Sequence, residues 1–252
     1  MKLIKYCNSK YHPKNCDTLQ VGTLDYYRNH DNKFISDPSE ATIENLRIHN
    51  TSTDKIDFTT EEINWISNRK GIIVLGRNDR ICCSIFPNNN ELLDNNQVGI
   101  YFNNKINVPN SYIFCCSQVE EPCEKQMRDL GYDSWYEIKY PKVFFGILTQ
   151  EILNNANIIK PNNFELRYST ISDLINYGPM KNIEINSKID LIKFILYRKS
   201  EVSDLNQDIM YWKNTEFRHS ILFHNTNSII PIPVEPRPLL INNLSLLPYI
   251  DY

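Results

Sequence analysis

Near the end of the chain, residues 211 to 222 read YWKNTEFRHSIL. On an extended strand alternate side chains share a face. Glu216 and Arg218 then stand side by side, about 6.5–7 Å apart, with Phe217 and His219 on the other face. That pattern fits a surface ion pair and equally the charged wall of a site. In a site, Arg218 would hold Glu216 ionised.

Three other stretches carry chemistry. In VGTLDYYR (21–28), Gly22 permits a tight bend or a close ligand approach, and Thr23 offers a hydrogen bond. Tyr26, Tyr27 and Arg28 add flat faces and a fixed cation. Such a set suits a nucleotide with a ring to stack and phosphates to neutralise. It also fits a strand end with core tyrosines. NSYIFCCSQ (110–118) runs apolar into Ser117 and Gln118, as a core strand does on reaching a cleft or a turn. In WYEIKY, Glu137-Ile-Lys139 has the acidic-x-Lys form of Mg²⁺ nucleases, where a carboxylate holds the metal and Lys stabilises charge. Asp129 or Asp133 would have to supply the second ligand.

The elements that must position these residues follow from pattern. Strands are expected at 2–8, 18–23, 70–75, 80–87, 98–104, 110–118, 140–148, 164–170 and 190–200, and over the opening stretch itself. Gly76–Asp79 would turn a hairpin, and 88–97 a loop. A helix is expected at 121–131, with Pro122 early and Gly131 as its stop. A short helix would begin at the cap Thr149. Five prolines between 231 and 248 bar the tail from a central strand or helix. It reads as an extended arm over the domain or as a docking segment for a partner. The expected organisation is α+β: one domain over 1–228 with a mixed, mostly antiparallel sheet and short helices, and a Pro-rich arm over 229–252.

Composition narrows the classes. The chain has 252 residues, 41% of them hydrophobic, enough for a real core. A net charge of −3 weighs against a strongly basic nucleic-acid binder. With 32 Asn and two Ala, long helices are disfavoured; folding does not require that bias, and an AT-rich genome explains it. The seven cysteines are odd in number, and adjacent pairs on strands point to opposite faces, so reduced thiols in a cytoplasmic setting are expected. No run of 18 apolar residues is present, so no membrane helix is expected. No histidine has metal-site spacing, and no G-x-S-x-G, P-loop or G-x-G-x-x-G occurs.

The order of the pieces adds something that none carries alone. A Lys5-Tyr6 opening strand, VGTLDYYR, YIFCCS and the Glu216-Phe217-Arg218 strand follow one another from residue 2 to 224. This layout resembles a group of bacterial and phage proteins with a Lys-Tyr opening strand, a Phe-Cys-x-Ser strand and an acidic-aromatic-Arg strand. Through them it is similar to a divergent ADP-ribosyltransferase fold. The resemblance implies NAD as substrate, with the fold's first site position at Lys5 or Tyr6, the second at Ser117 and the catalytic carboxylate at Glu216. The first position departs from the family pattern, which has Arg or His. Tyr6 and Tyr27 would pack on the nicotinamide or adenine ring, Arg28 or Arg218 would meet the diphosphate, and Thr23 would add a hydrogen bond. The implied role is an intracellular toxin or antiviral effector that modifies a nucleic-acid or protein acceptor and is neutralised by a protein partner. The rival expectations are a non-catalytic interaction protein of the same fold, and the Mg²⁺ nuclease on Glu137 and Lys139.

Overall fold

The computed structural model describes residues 1–31, 41–43, 46–50, 62, 65, 72–75, 98–102, 106–158, 166–177, 183–184, 187–199, 215–226, 228 and 230–252. The expected turn at Gly76–Asp79, the second strand of that hairpin with Cys82 and Cys83, and the loop 88–97 lie outside these residues.

The fold is α+β around a nine-stranded, antiparallel sheet. Its strands are β1 (Lys2–Cys7), β2 (Thr18–Thr23), β3 (Tyr112–Val119), β4 (Ser134–Ile138), β5 (Leu166–Leu174), β6 (Glu216–Asn225), β7 (Pro231–Ile232), β8 (Leu239–Asn242) and β9 (Ile250–Asp251). The main order is β5-β6-β3-β1-β4-β9. Four helices are described: α1 (Leu24–Arg28), α2 (Glu124–Asp129), α3 (Pro141–Asn155) and α4 (Lys188–Tyr197). Separately, Leu46–Asn50, Ile72–Leu75, Val98–Phe102 and Ile183–Glu184 form a four-stranded sheet. Among the described residues no helix is long and apolar enough to cross a membrane.

β3 is the axis of the molecule. Its alternating side chains feed two cores. Tyr112, Phe114 and Cys116 join Ile221 and Phe223 of β6 against Phe144, Phe145, Leu148 and Ile152 of α3. On the other face Ile113 joins Ile171 and Leu222 against Leu191, Ile192, Ile195 and Leu196 of α4. The adjacent cysteines divide as the pleat demands: Cys116 is buried under α3 and Cys115 faces the other way, and no disulfide forms among the described residues.

Two expected strands are helices. Residues 140–148 and the short helix after them are one helix, α3. Phe144, Phe145, Leu148 and Ile152 recur at helical spacing and bury one stripe. Thr149 is not its cap but sits mid-helix, where its hydroxyl donates to Phe145 O at 2.8 Å. Of the expected strand 190–200, residues 190–197 lie in α4, Arg198–Lys199 form a short strand, and residue 200 lies outside the described residues. The start of α4 is fixed by a reciprocal cap: Asp190 accepts from the Ser187 N–H at 2.8 Å, and Ser187 Oγ accepts from the Asp190 N–H at 3.4 Å.

The Pro-rich arm shares the main core. It supplies β7 to β6, β8 to β2 and β9 to β4, and buries Ile232, Val234, Ile241, Leu246 and Ile250 in the α3 core. Leu240 and Leu244 of the arm stay exposed on its outer side.

His219 links the sheet to α3. Its ring stacks on Phe145, 4.6 Å between centroids. The Thr149 proton goes to Phe145 O, so Thr149 Oγ1 accepts from His219 Nε2 at 3.0 Å, and Nδ1 accepts from Ser172 Oγ at 2.6 Å. Burial pushes the imidazole down to about 4 from 6.5. The unfolded chain therefore binds a proton that the folded one refuses, so this contribution to stability is complete above pH 6.5 and is lost as pH falls toward 4. The loss is roughly 3 kcal/mol, at about 1.4 kcal/mol per unit. Urea titrations at several pH values are expected to show that slope in the wild type and a flatter one in His219→Gln.

Candidate functional site

The pairing of β3 opens a split in the sheet. One edge of β3 is covered by β6, with Glu216 opposite Ser117 and Arg218 opposite Cys115. The other edge is shared by two strands. β1 pairs with its C-terminal end, Ile4 opposite Ser117, and β2 with its N-terminal end, Gly22 opposite Ile113. Beyond Ile4, β1 pairs only with β4, on its other edge. Between β1 and β2 the edge of β3 is bridged by a side chain: Lys5 Nζ donates to Cys115 O at 2.8 Å, with its ammonium 4.8 Å from the Phe114 ring centre.

A cleft of about 230 Å³ occupies this split, lined among others by Lys5, Tyr6, Tyr26, Tyr27, His30 and Tyr132. It is smaller than pockets that enclose a whole drug-sized ligand; its size suits one ring and sugar of a larger molecule. The wall is aromatic around a cation, a combination that favours stacking of a planar heterocycle and attraction of an anion. Burial raises the phenols of Tyr6, Tyr27 and Tyr132, so all three stay neutral rings. Tyr6 is fixed by Cys123, whose N–H donates to its hydroxyl at 2.9 Å. Tyr132 follows Gly131, which ends α2 at φ 76, a left-handed backbone that glycine adopts without a Cβ clash.

Gly22 sets the depth of the cleft. A Cβ there would run into the Tyr27 ring and lie 2.9 Å from its hydroxyl. Gly22→Ala is expected to displace that ring and destabilise the fold by about 1–3 kcal/mol, as overpacking does. Urea unfolding and the Tyr27 fluorescence environment measure both effects.

Glu216, Arg218 and Ser117 form a second group. Arg218 is 1% exposed, yet donates from Nη2 to Glu216 Oε1 at 2.6 Å and from Nη1 to Leu196 O at 3.0 Å. Glu216 lies at the surface of this pair, its side chain 21% exposed. Ser117 is buried beside it on the same face, and Gln126 of α2 donates to Ser117 Oγ at 3.1 Å and to Thr215 Oγ1 at 3.3 Å. Gln126 Oε1 is buried and meets no hydrogen-bond donor among the described residues.

The expected site residues therefore divide. Lys5, Tyr6 and Tyr27 meet in the cleft; Ser117 lies one strand from β1 and Glu216 and Arg218 two, roughly 5 and 10 Å across the sheet at about 4.8 Å per strand. Neither Ser117 nor Glu216 lines the cleft itself. Thr23 and Arg28 belong to neither group. Thr23 is the buried cap of α1: it accepts from the Tyr26 N–H at 3.2 Å and donates to Pro236 O at 3.1 Å. Arg28 pairs with Asp25 at 2.8 Å and donates to Val108 O at 2.9 Å. Both are explained by what they hold in place. His30, Tyr132 and Gln126 do not stand out in the sequence. Tyr132 has a weak signal, the Gly131 stop before it; Gln126, in a mostly polar helix, has none.

The Glu137-Ile-Lys139 triplet is a lattice of ion pairs at the β1–β4–β9 edge. Lys139 bridges Glu137 at 3.0 Å and Asp251 at 3.1 Å, and Lys2 lies 3.8 Å from Glu137. Those contacts raise Lys139 and lower Asp251 from their ordinary values. Asp133 instead accepts from the Ser9 N–H and hydroxyl. Among the described residues no group of three His, Cys, Asp or Glu side chains is placed to hold a metal ion.

Compared with protein-family models, curated proteins and solved structures, the chain matches none.

Proposed function

We propose that this chain is an ADP-ribosyltransferase-like enzyme that uses NAD, with Glu216 as the carboxylate facing the reacting ribose. The observation that carries the reading is the register across β6, β3 and β1: Glu216 stands opposite Ser117, and Ser117 opposite Ile4, the residue before Lys5-Tyr6. Three segments far apart in the chain thus lie on neighbouring strands, and β1 borders the aromatic split. NAD would lay one ring and ribose against Tyr6, Tyr27 and Lys5, with its reacting ribose toward Ser117 and Glu216.

The chemistry follows from charge. The bond from C1′ to the nicotinamide nitrogen breaks, nicotinamide leaves with the electron pair, and an oxocarbenium-like cation forms. Glu216 stabilises that cation, held in place by Arg218. A nucleophilic oxygen or nitrogen of the acceptor then bonds C1′ and releases its proton to water. Ser117, whose hydroxyl accepts from Gln126, supports the ribose or Glu216. The acceptor is a nucleic acid or a protein; a net charge of −3 favours transient over tight binding of nucleic acid. The wider role in this reading is a toxin or antiviral effector.

The test is transfer of label from adenylate-labelled NAD to RNA, DNA and protein in a cell extract. Transfer that is lost in Glu216→Gln supports the reading, and no release of nicotinamide with any acceptor sinks it. One observation favours the non-catalytic alternative: Glu216 already serves as counter-ion to a buried cation that also holds the end of α4. In that case Glu216 substitutions change stability alone.

A further inference from the structure

β5 is an end strand of the main sheet, nine residues long, and among the described residues it pairs only with β6. Such an edge presents a row of backbone donors and acceptors that templates another strand. Its side chains sort cleanly. Ile171 enters the α4 core, so Arg167, Ser169 and Asp173 share that face. Leu166, Tyr168, Thr170, Ser172 and Leu174 share the other. There Leu166, Tyr168 and Leu174 are 36%, 50% and 39% exposed, a row of apolar side chains at the rim of the sheet.

The sequence LRYSTISDL is also complementary to itself when reversed. We propose that two copies of this chain pair edge to edge through β5, in an antiparallel ladder whose two-fold axis passes through Thr170. In that register Arg167 stands opposite the partner's Asp173, and Leu166 opposite the partner's Leu174, each match occurring twice by symmetry. Directly opposed side chains on one face are the pairs that stabilise a sheet, and opposite charges and apolar groups are among the favourable ones. A slip of one residue moves the apolar row to the wrong face. A slip of two sets Arg167 against Ile171 or Ile175. Asp173 is already held by Lys193, 2.6 Å from Oδ2, and by the Leu174 N–H, which donates to Oδ1 at 2.9 Å, so its carboxylate is fixed beside the edge before any partner arrives. The occupant is a second copy because one strand supplies both halves of the charge match. This inference does not depend on the NAD reading.

Sedimentation equilibrium of the full chain over a concentration series is expected to show a monomer–dimer equilibrium. Arg167→Asp sets two carboxylates against each other at both ends and is expected to weaken the dimer roughly tenfold or more, with an unchanged circular dichroism spectrum. Adding Asp173→Arg is expected to restore it. Thr170→Cys reads the register directly. Opposed residues in an antiparallel pair have Cα atoms about 4.5–5.5 Å apart, within disulfide range. Mild oxidation should cross-link the Thr170→Cys protein and not the wild type. A wild type that is monomeric throughout, or a dimer that survives Arg167→Asp and gives no cross-link through position 170, overturns the proposal.

Discussion

Glu216→Gln is expected to lower the rate of nicotinamide release from NAD by roughly 100- to 1000-fold, with KM changed by only a few fold. The split between the two constants is the informative part. The ribose is neutral while bound and cationic only near the transition state, so a carboxylate facing it acts mainly on turnover. Gln keeps the shape and the hydrogen-bond acceptor for Arg218 but removes the charge. The buried Arg218 then loses its counter-charge, with a stability cost of up to about 3 kcal/mol. Activity is therefore compared well below the unfolding midpoint of the variant. A loss of activity that tracks the unfolded fraction, or a KM that rises as much as kcat falls, would assign Glu216 to the fold rather than to the reaction.

Arg218→Met is expected to destabilise the protein by about 3–5 kcal/mol, read as a lowered urea midpoint with an unchanged slope. Met fills much of the volume, so the effect is chiefly electrostatic. The Leu196 carbonyl at the end of α4 loses its 3.0 Å donor, and Glu216 loses its 2.6 Å partner. Arg218→Lys is expected to fall between, because one ammonium on a flexible stem replaces a planar fork that serves two acceptors at once. A change below about 1 kcal/mol in Arg218→Met would mean that the pair behaves like an exposed ion pair, despite its burial.

Some local features around these residues are legible in the amino-acid sequence, for identifiable reasons. Strand alternation alone puts Glu216 beside Arg218 and splits Cys115 from Cys116, and both hold in the structure. The Gly22-Thr23 boundary between a strand and a helical segment follows from turn chemistry. The helices α3 and α4 do not. Apolar runs such as VFFGIL and LIKFIL, the second broken only by Lys193, fit a buried strand as well as a buried helix. The arbiters are local: Phe144, Phe145, Leu148 and Ile152 at helical spacing, and the Ser187–Asp190 cap. The cleft is less legible still. It exists because β1 and β2 both pair with one edge of β3, a long-range choice that no local pattern announces. Thr23 and Arg28 draw attention through their functional groups, yet α1 and the arm use those groups internally.

In the proposed reading, the split beside Lys5 and Tyr27 holds one end of NAD while Glu216 faces the reacting ribose. Calorimetric titration of NAD into Glu216→Gln, which is expected to bind NAD without turning it over, tests it most directly. Saturable binding is expected, weakened by about tenfold when Tyr27→Ala removes one stacking face, since such a face is worth roughly 1–3 kcal/mol. Absence of saturable binding to Glu216→Gln, or binding indifferent to Tyr27→Ala, would contradict the reading.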